Sequence, residues 1–303
     1  MIDSSRKLKA KVKNMLTSET GIRRSEKSRM LIGNFLMERF LERISMSQYQ
    51  QKFILKGGML VSAYTGLEMR TTKDIDITVR SASVKTENAV NMIEEISKID
   101  AGDNVTFEVQ GYSAIMEEHD YPGLRFTLVA RLDDLRQHIK IDISTDDVIT
   151  PDAVQHEYRL MFEDRTISLS TYNLETLLAE KIQTIIVRGG SNTRTRDYYD
   201  IYMLTRLKSA EISLENLKAA FEATSRKRGT FEMSGEIYDV LNFMLNTKAI
   251  QEAWENFKNA NDYVGEASWK EVIDSIHDLA VKIIPLSEEP TETEGEHPRL
   301  TTV

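Results

Sequence analysis

The 303-residue chain contains no cysteine, so disulfide bridges and thiolate metal sites are excluded. It also lacks any run approaching the ~20 consecutive apolar residues of a membrane span. Its first residues, Met1-Ile2-Asp3-Ser4-Ser5-Arg6, lack the apolar core of a signal peptide. A cytoplasmic location with no membrane partner is the expectation. An excess of positive charge is missing too: 39 Lys and Arg stand against 48 Asp and Glu, a formal net charge of −9. That balance argues against a protein that coats nucleic acid nonspecifically. It leaves room for a local basic patch, and Arg188, Arg194 and Arg196 form one candidate. No internal repeat is visible. A hydrophobic content of 41% over this length suffices for a buried core in one large or two modest domains.

The chemistry begins at Lys56-Gly57-Gly58. Phe53-Ile54-Leu55 is a short apolar run of strand character, Gly57-Gly58 interrupts it, and Met59-Leu60-Val61-Ser62-Ala63-Tyr64 has the pattern of a helix start. Glycines at such a turn let backbone approach a ligand, and the free N–H groups of the first helical turn attract an anion such as a phosphate. Fifteen residues on, Asp74-Ile75-Asp76-Ile77-Thr78-Val79 alternates, placing Ile75, Ile77 and Val79 on one face of a strand and both aspartates on the other. Two carboxylates so placed can share Mg²⁺, a hard cation bound through oxygen. A further strand, His138-Ile139-Lys140-Ile141-Asp142-Ile143, turns Asp142 away from its isoleucines; paired beside the Asp74 strand, it would bring a third acid to the same point. Asp146 and Asp147 lie just past it and are weaker candidates.

A second signal lies downstream. Asn173 is a plausible N-cap for a helix with an apolar stripe of Leu174, Leu177, Leu178 and Ile185. Lys181 falls in that stripe. Either its flexible stem carries the ammonium to the edge, or an anion meets it there. In Arg194-Thr195-Arg196-Asp197-Tyr198-Tyr199-Asp200 the spacing places Asp197 and Asp200 on one helical face.

Around these motifs the chain divides into an N-terminal helical segment (1–50), a mixed strand and helix core (51–165), a helical domain (166–284) and an acidic, proline-containing tail (285–303) expected to be disordered. Leu31, Phe35, Met37, Phe40 and Leu41 mark a helix over about 22–46 that covers the sheet. Residues 89–99 read as a helix, and strands are expected at 105–109, 125–129 and 138–143. Trp254 and Trp269 read as packing residues.

Together, Gly57-Gly58 and Asp74-Ile75-Asp76 resemble the signature of the polymerase-β-like nucleotidyltransferase superfamily. The longer stretches Leu55-Lys56-Gly57-Gly58 and Arg70-Thr71-Thr72-Lys73-Asp74-Ile75-Asp76, with Glu180-Lys181 and Arg196-Asp197-Tyr198-Tyr199-Asp200, more narrowly resemble the AbiEii/MenT nucleotidyltransferases, toxins of type IV toxin–antitoxin and phage-defence pairs. The resemblance covers about residues 54–204. It implies an α+β fold, a mixed sheet with flanking helices and a C-terminal helical domain. It also implies Mg²⁺ on Asp74, Asp76 and Asp142, with Asp142 also a candidate base, and catalytic parts for Lys181 and Asp200. Nucleotide contacts are implied for Lys56, Gly57, Gly58, Arg70, Lys181, Arg196 and Asp197. The implied reaction moves a nucleoside monophosphate from an NTP to an acceptor, the tRNA 3′ end, arresting growth. The implied partner is an antitoxin encoded nearby, commonly a winged-helix DNA-binding protein. Met59 departs from the pattern, standing where a small hydroxylated residue is expected and leaving the phosphates to backbone contacts. Two other readings share some of these features: a transferase acting on an antibiotic or a protein, and a noncatalytic nucleotide-binding scaffold. Intact Asp74, Asp76 and Asp142 argue against the last.

Overall fold

Strand-period alternation and helix-period stripes sort the chain into a sheet followed by a helical array. The computed structural model describes residues 1–66, 70, 72–80, 86–115, 123–189 and 194–284. The expected tail at 285–303, and Thr71 of the Asp74 motif, lie outside them. Seven strands form one mixed sheet: β1 (Phe53–Lys56), β2 (Ile75–Val79), β3 (Thr106–Ile115), β4 (Gly123–Leu132), β5 (Leu135–Thr145), β6 (Val154–Arg159) and β7 (Thr166–Thr171), in the order β3-β4-β5-β2-β1-β7-β6. β1 runs antiparallel to β2, while the β2–β5 and β1–β7 pairs are parallel. All five expected strands are present. The β6–β7 hairpin was not expected, and it carries the sheet to Thr171, past the core boundary anticipated at 165.

Register sorts side chains between two faces. Ile75, Ile77 and Val79 of β2 pair with Ile141 and Ile143 of β5 and with Leu55 and Phe53 of β1, and all are buried. The long helix α2 (Gly21–Met46), which follows α1 (Ser5–Met15), lies across this face, where Phe40 meets Phe107 of β3 edge-on at 5.3 Å. All five apolar residues that mark α2 in the sequence are buried. So are Glu38, Arg39, Glu42 and Arg43, which find partners inside: Arg43 forks onto Asp103 at 2.8 and 2.9 Å, and Glu42 accepts from Arg165. Burying charge is tolerable only with such partners.

Helix α3 (Gly57–Thr65) follows β1 directly, and α4 (Thr86–Ser97) precedes β3. Beyond β7 come α5 (Leu174–Arg188), α6 (Thr195–Leu207), α7 (Leu214–Lys227), α8 (Ile237–Asn246), α9 (Lys248–Ala260) and α10 (Trp269–Ile283). Asn173 caps α5 by accepting the Thr176 N–H at 2.7 Å. Trp254 and Trp269 pack at 5.3 Å with Tyr198 and Tyr199 close by, the packing part expected of them. No helix among the described residues is long and apolar enough to cross a membrane.

Candidate active site

The opposite face of the sheet carries a row of charges. Lys56 pairs in register with Asp76, Asp76 with Asp142, and Asp142 with Arg125, so four adjacent strands present two acids flanked by two bases on one line. Asp74, two residues before Asp76, projects to the same side. One ligand oxygen from each of Asp74, Asp76 and Asp142 lies within 4.8 Å of the others. The parallel β2–β5 pairing thus meets the condition that the sequence set for Asp142. Three carboxylates with only oxygen donors suit a hard divalent cation such as Mg²⁺.

The glycine turn closes over this row. Gly57 has φ +63°, and a Cβ there would stand 2.0 Å from Asp76 Oδ2, so a side chain at 57 would be both strained and blocked by the acid. The Gly58 N–H points at the same oxygen from 3.4 Å. Met59 is buried, which leaves that position without a polar group facing the turn. Burial and then repulsion from Asp74 push the Asp76 carboxyl up to about 6, against the pull of Lys56. A cation on the triad would oppose that displacement.

Lys56 sits in a polar network that the sequence did not reveal. Its Nζ lies 2.6 Å from Asp147 Oδ2 and 3.8 Å from Glu180 Oε1. Ser144 and Tyr172 also donate to Asp147, at 2.6 and 3.0 Å. Burial works against both charges, but attraction wins: Glu180 and then Asp147 hold Lys56 above its usual range, and Lys56 lowers Asp147 to about 2. Arg228, just past α7, closes the network by donating to Glu180 at 2.7 Å. Asp146 pairs with Lys227 and points elsewhere.

Lys181 meets anions rather than snorkelling. Its Nζ lies 2.7 Å from Asp200 Oδ2 and 3.1 Å from Asp197 Oδ1, across the α5–α6 contact. Asp200 is 1% exposed and also takes both arms of Arg70, at 2.7 and 2.6 Å. Arg70 uses Nε and Nη2 for that fork, and its Nη1 donates to the Gly58 carbonyl at 2.6 Å. The α6 acid is therefore tied through Arg70 to the glycine turn. Arg196 lies on the first turn of α6 beside Asp197, half-buried, while Arg188 and Arg194 are exposed where α5 ends and α6 begins.

Of the residues singled out in the sequence, Asp74, Asp76, Asp142, Lys56, Gly57 and Gly58 gather at the sheet end, and Lys181, Asp197, Asp200 and Arg70 form the adjoining buried network. Sequence reasoning passed over Arg125, which forks onto Asp142 at 2.7 and 2.5 Å. The available signal was the β4–β5 hairpin: Leu132 pairs with Leu135, and counting seven residues away from the turn along each strand sets Arg125 against Asp142. An open groove lined by Lys248, Glu255 and Trp269, among others, lies on α8–α10 and shares no residue with this site.

No curated protein matches the chain. Among solved structures it is similar to two Helicobacter pylori proteins. One is a candidate nucleotidyltransferase, at 15% identity over 86% of this chain and 98% of that one with a TM-score of 0.47. The other is JHP933, at 14% identity over 84% and 93% with a TM-score of 0.48. An antigenic nucleotidyltransferase-like protein from Paracoccidioides brasiliensis is similar at 15% identity over 68% and 92%, with a TM-score of 0.39. Residues 39–275, which hold every motif described above, match the family described as "Nucleotidyl transferase AbiEii toxin, Type IV TA system". The chain therefore belongs to the AbiEii nucleotidyltransferase toxin family and is a nucleotidyltransferase.

Proposed function

We propose that the chain transfers a nucleoside monophosphate from an NTP to the 3′ hydroxyl of tRNA, with Mg²⁺ held by Asp74, Asp76 and Asp142, and that this transfer arrests growth or phage propagation. The observation that carries the reading is the cross-strand row in which Asp76 and Asp142 stand in register beneath the Gly57-Gly58 turn, with Asp74 alongside. Bound there, the ion would supply Lewis acidity and offset charge on the triphosphate. The chain's own groups do the rest. Backbone N–H groups at the start of α3 receive phosphate oxygens; Lys56 places positive charge where the turn begins, and Lys181, linked to the turn through Asp200 and Arg70, supplies a second cation. Asp197 and Asp200 hold Lys181 in position; Arg196 extends the positive edge towards the nucleotide. Arg70 acts through the Gly58 carbonyl, shaping the turn. In the reaction the acceptor oxygen bonds to the α-phosphorus, the bond to the bridging oxygen breaks, and pyrophosphate leaves while the hydroxyl proton passes to a base, for which Asp142 is the candidate.

The test is incubation of the purified chain with Mg²⁺, each labelled NTP in turn, and total tRNA. Label on tRNA supports the reading; label on protein or a small molecule moves the acceptor; no label with any NTP overturns it. Membership of a toxin family implies an antitoxin, which we place in the neighbouring reading frame as a winged-helix DNA-binding protein. Expression of the chain alone should then stop bacterial growth, and coexpression of that neighbour should restore it.

A further inference from the structure

The third carboxylate of the triad already carries a cation belonging to the chain. Arg125 on β4 lies opposite Asp142 and donates Nε to one carboxylate oxygen at 2.7 Å and Nη2 to the other at 2.5 Å. The same Nη2 lies 3.9 Å from Asp74 Oδ2. A guanidinium fork uses both oxygens of a carboxylate at once. A hard divalent ion that takes Asp142 as a ligand needs one of those oxygens, in much the same direction.

Two forked pairs of the fold are locked in the interior, and this one is not. The Arg43–Asp103 side chains are 1% and 0% exposed, and those of Arg70–Asp200 are 2% and 1%. Neither pair can open without leaving charges stranded in the interior. The Arg125 side chain is 35% exposed, so it can leave Asp142 for water. Arg165, 30% exposed, forks onto Glu42 with similar access to water, but the Arg125 fork is the one that closes on carboxylates that come together as a candidate cation site.

We propose that Arg125 is the resident counter-ion of the triad, which a divalent ion must displace from Asp142, so that this arginine sets how tightly the nucleotide-free protein holds metal. The inference rests on the reading of the triad as a metal site. Arg125 is a positioning residue here, since it touches the carboxylates and no reacting atom.

The experiment measures Mn²⁺ binding to the intact chain without nucleotide, from the loss of the free-ion electron paramagnetic resonance signal. Wild type, Arg125→Gln, Arg125→Lys and Asp76→Asn are compared. Arg125→Gln should bind Mn²⁺ roughly tenfold or more tightly than wild type. Arg125→Lys should fall between the two, because it keeps the charge but can no longer engage both oxygens. Asp76→Asn should lose the site. Saturable, Asp76-dependent binding that Arg125→Gln leaves equal or weaker overturns the inference while sparing the metal reading. So does a gain in Arg125→Gln with Arg125→Lys equal to wild type, since long-range charge would then suffice. Binding that is absent, or indifferent to Asp76→Asn, overturns the metal reading and the inference with it. Should Arg125→Gln fail to fold by circular dichroism, the lysine variant decides alone: tighter than wild type supports the inference, and equal overturns it.

Discussion

Burial and the charge on Asp74 hold the Asp76 carboxyl at about 6, above its ordinary 3.8, so its ionised form costs stability at neutral pH. The Gly58 N–H that points at it is a long 3.4 Å away. Asp76→Ala should therefore abolish nucleotide transfer while the melting temperature at pH 7.5 stays level or rises. Transfer at near wild-type rate would remove Asp76 from the centre. Lys181 and Arg70 share Asp200 but should respond differently to loss. In Lys181→Met the stem volume remains and Asp200 keeps both arms of Arg70, so stability should change by no more than about 1 kcal/mol. Turnover should fall on the order of a hundredfold or more, if the ammonium also serves the phosphates. Arg70→Met removes the two-armed partner of a buried acid and the donor to Gly58, a loss of about 3–5 kcal/mol. Denaturant unfolding and steady-state kinetics on the two variants separate these roles; equal destabilisation would make Lys181 a structural lysine.

Helix α2 shows how an element can be legible in outline and opaque in detail. Its apolar spacing announces a sheet-covering helix, yet the same helix buries Glu38, which accepts the Met161 N–H at 2.8 Å and the Tyr158 hydroxyl at 3.3 Å. Burial pushes the Glu38 carboxyl up to about 8 from an ordinary 4.5. Because the folded state holds this proton more tightly than the unfolded one, the stabilisation is complete below pH 4.5. It declines as pH rises towards about 8 and is gone above it, at about 1.4 kcal/mol per unit of displacement. Glu38→Gln keeps an amide in place of the neutral acid, so its melting temperature should fall less than that of wild type between pH 6 and 9; parallel curves would exclude Glu38 as the source. The strands were legible to the degree that one face was buried. β2 and β5 alternate because isoleucines on one side face the core and acids on the other do not, while β1 is legible as a continuous buried run, Phe53-Ile54-Leu55. β6 is an edge strand with one buried residue in six, Tyr158, so its alternation carries no apolar signal. Local pattern gave the Asp74 and Asp76 side of the site. The partners of Lys56 and Asp142 come from register and from a distant helix, which period-2 reading of single strands does not supply.

At the scale of the whole molecule, a chain of net charge −9 repels a polyanion at long range, so a tRNA acceptor has to be held by local contacts. The basic residues best placed for this lie beside Lys181. Arg188 is two helical turns from it along α5, and Arg194 and Arg196 open α6, whose first acid already touches Lys181. Phosphate contacts release counterions, which gives each a slope of about 0.7–0.9 in the logarithm of affinity against the logarithm of salt. Replacing Arg188 and Arg194 together by alanine should lower that slope by roughly 1.4–1.8 and weaken tRNA binding about equally across sequences, with KM for the NTP unchanged. The two arginines lie outside the cross-strand row, so the fold and the carboxylate triad should survive the change. A salt dependence that is steep in wild type and shallower in the double variant would place the acceptor over the α5–α6 end of the molecule. A flat dependence in both would mean that no polyanion is held there, and would favour a small acceptor for the same phosphoryl chemistry.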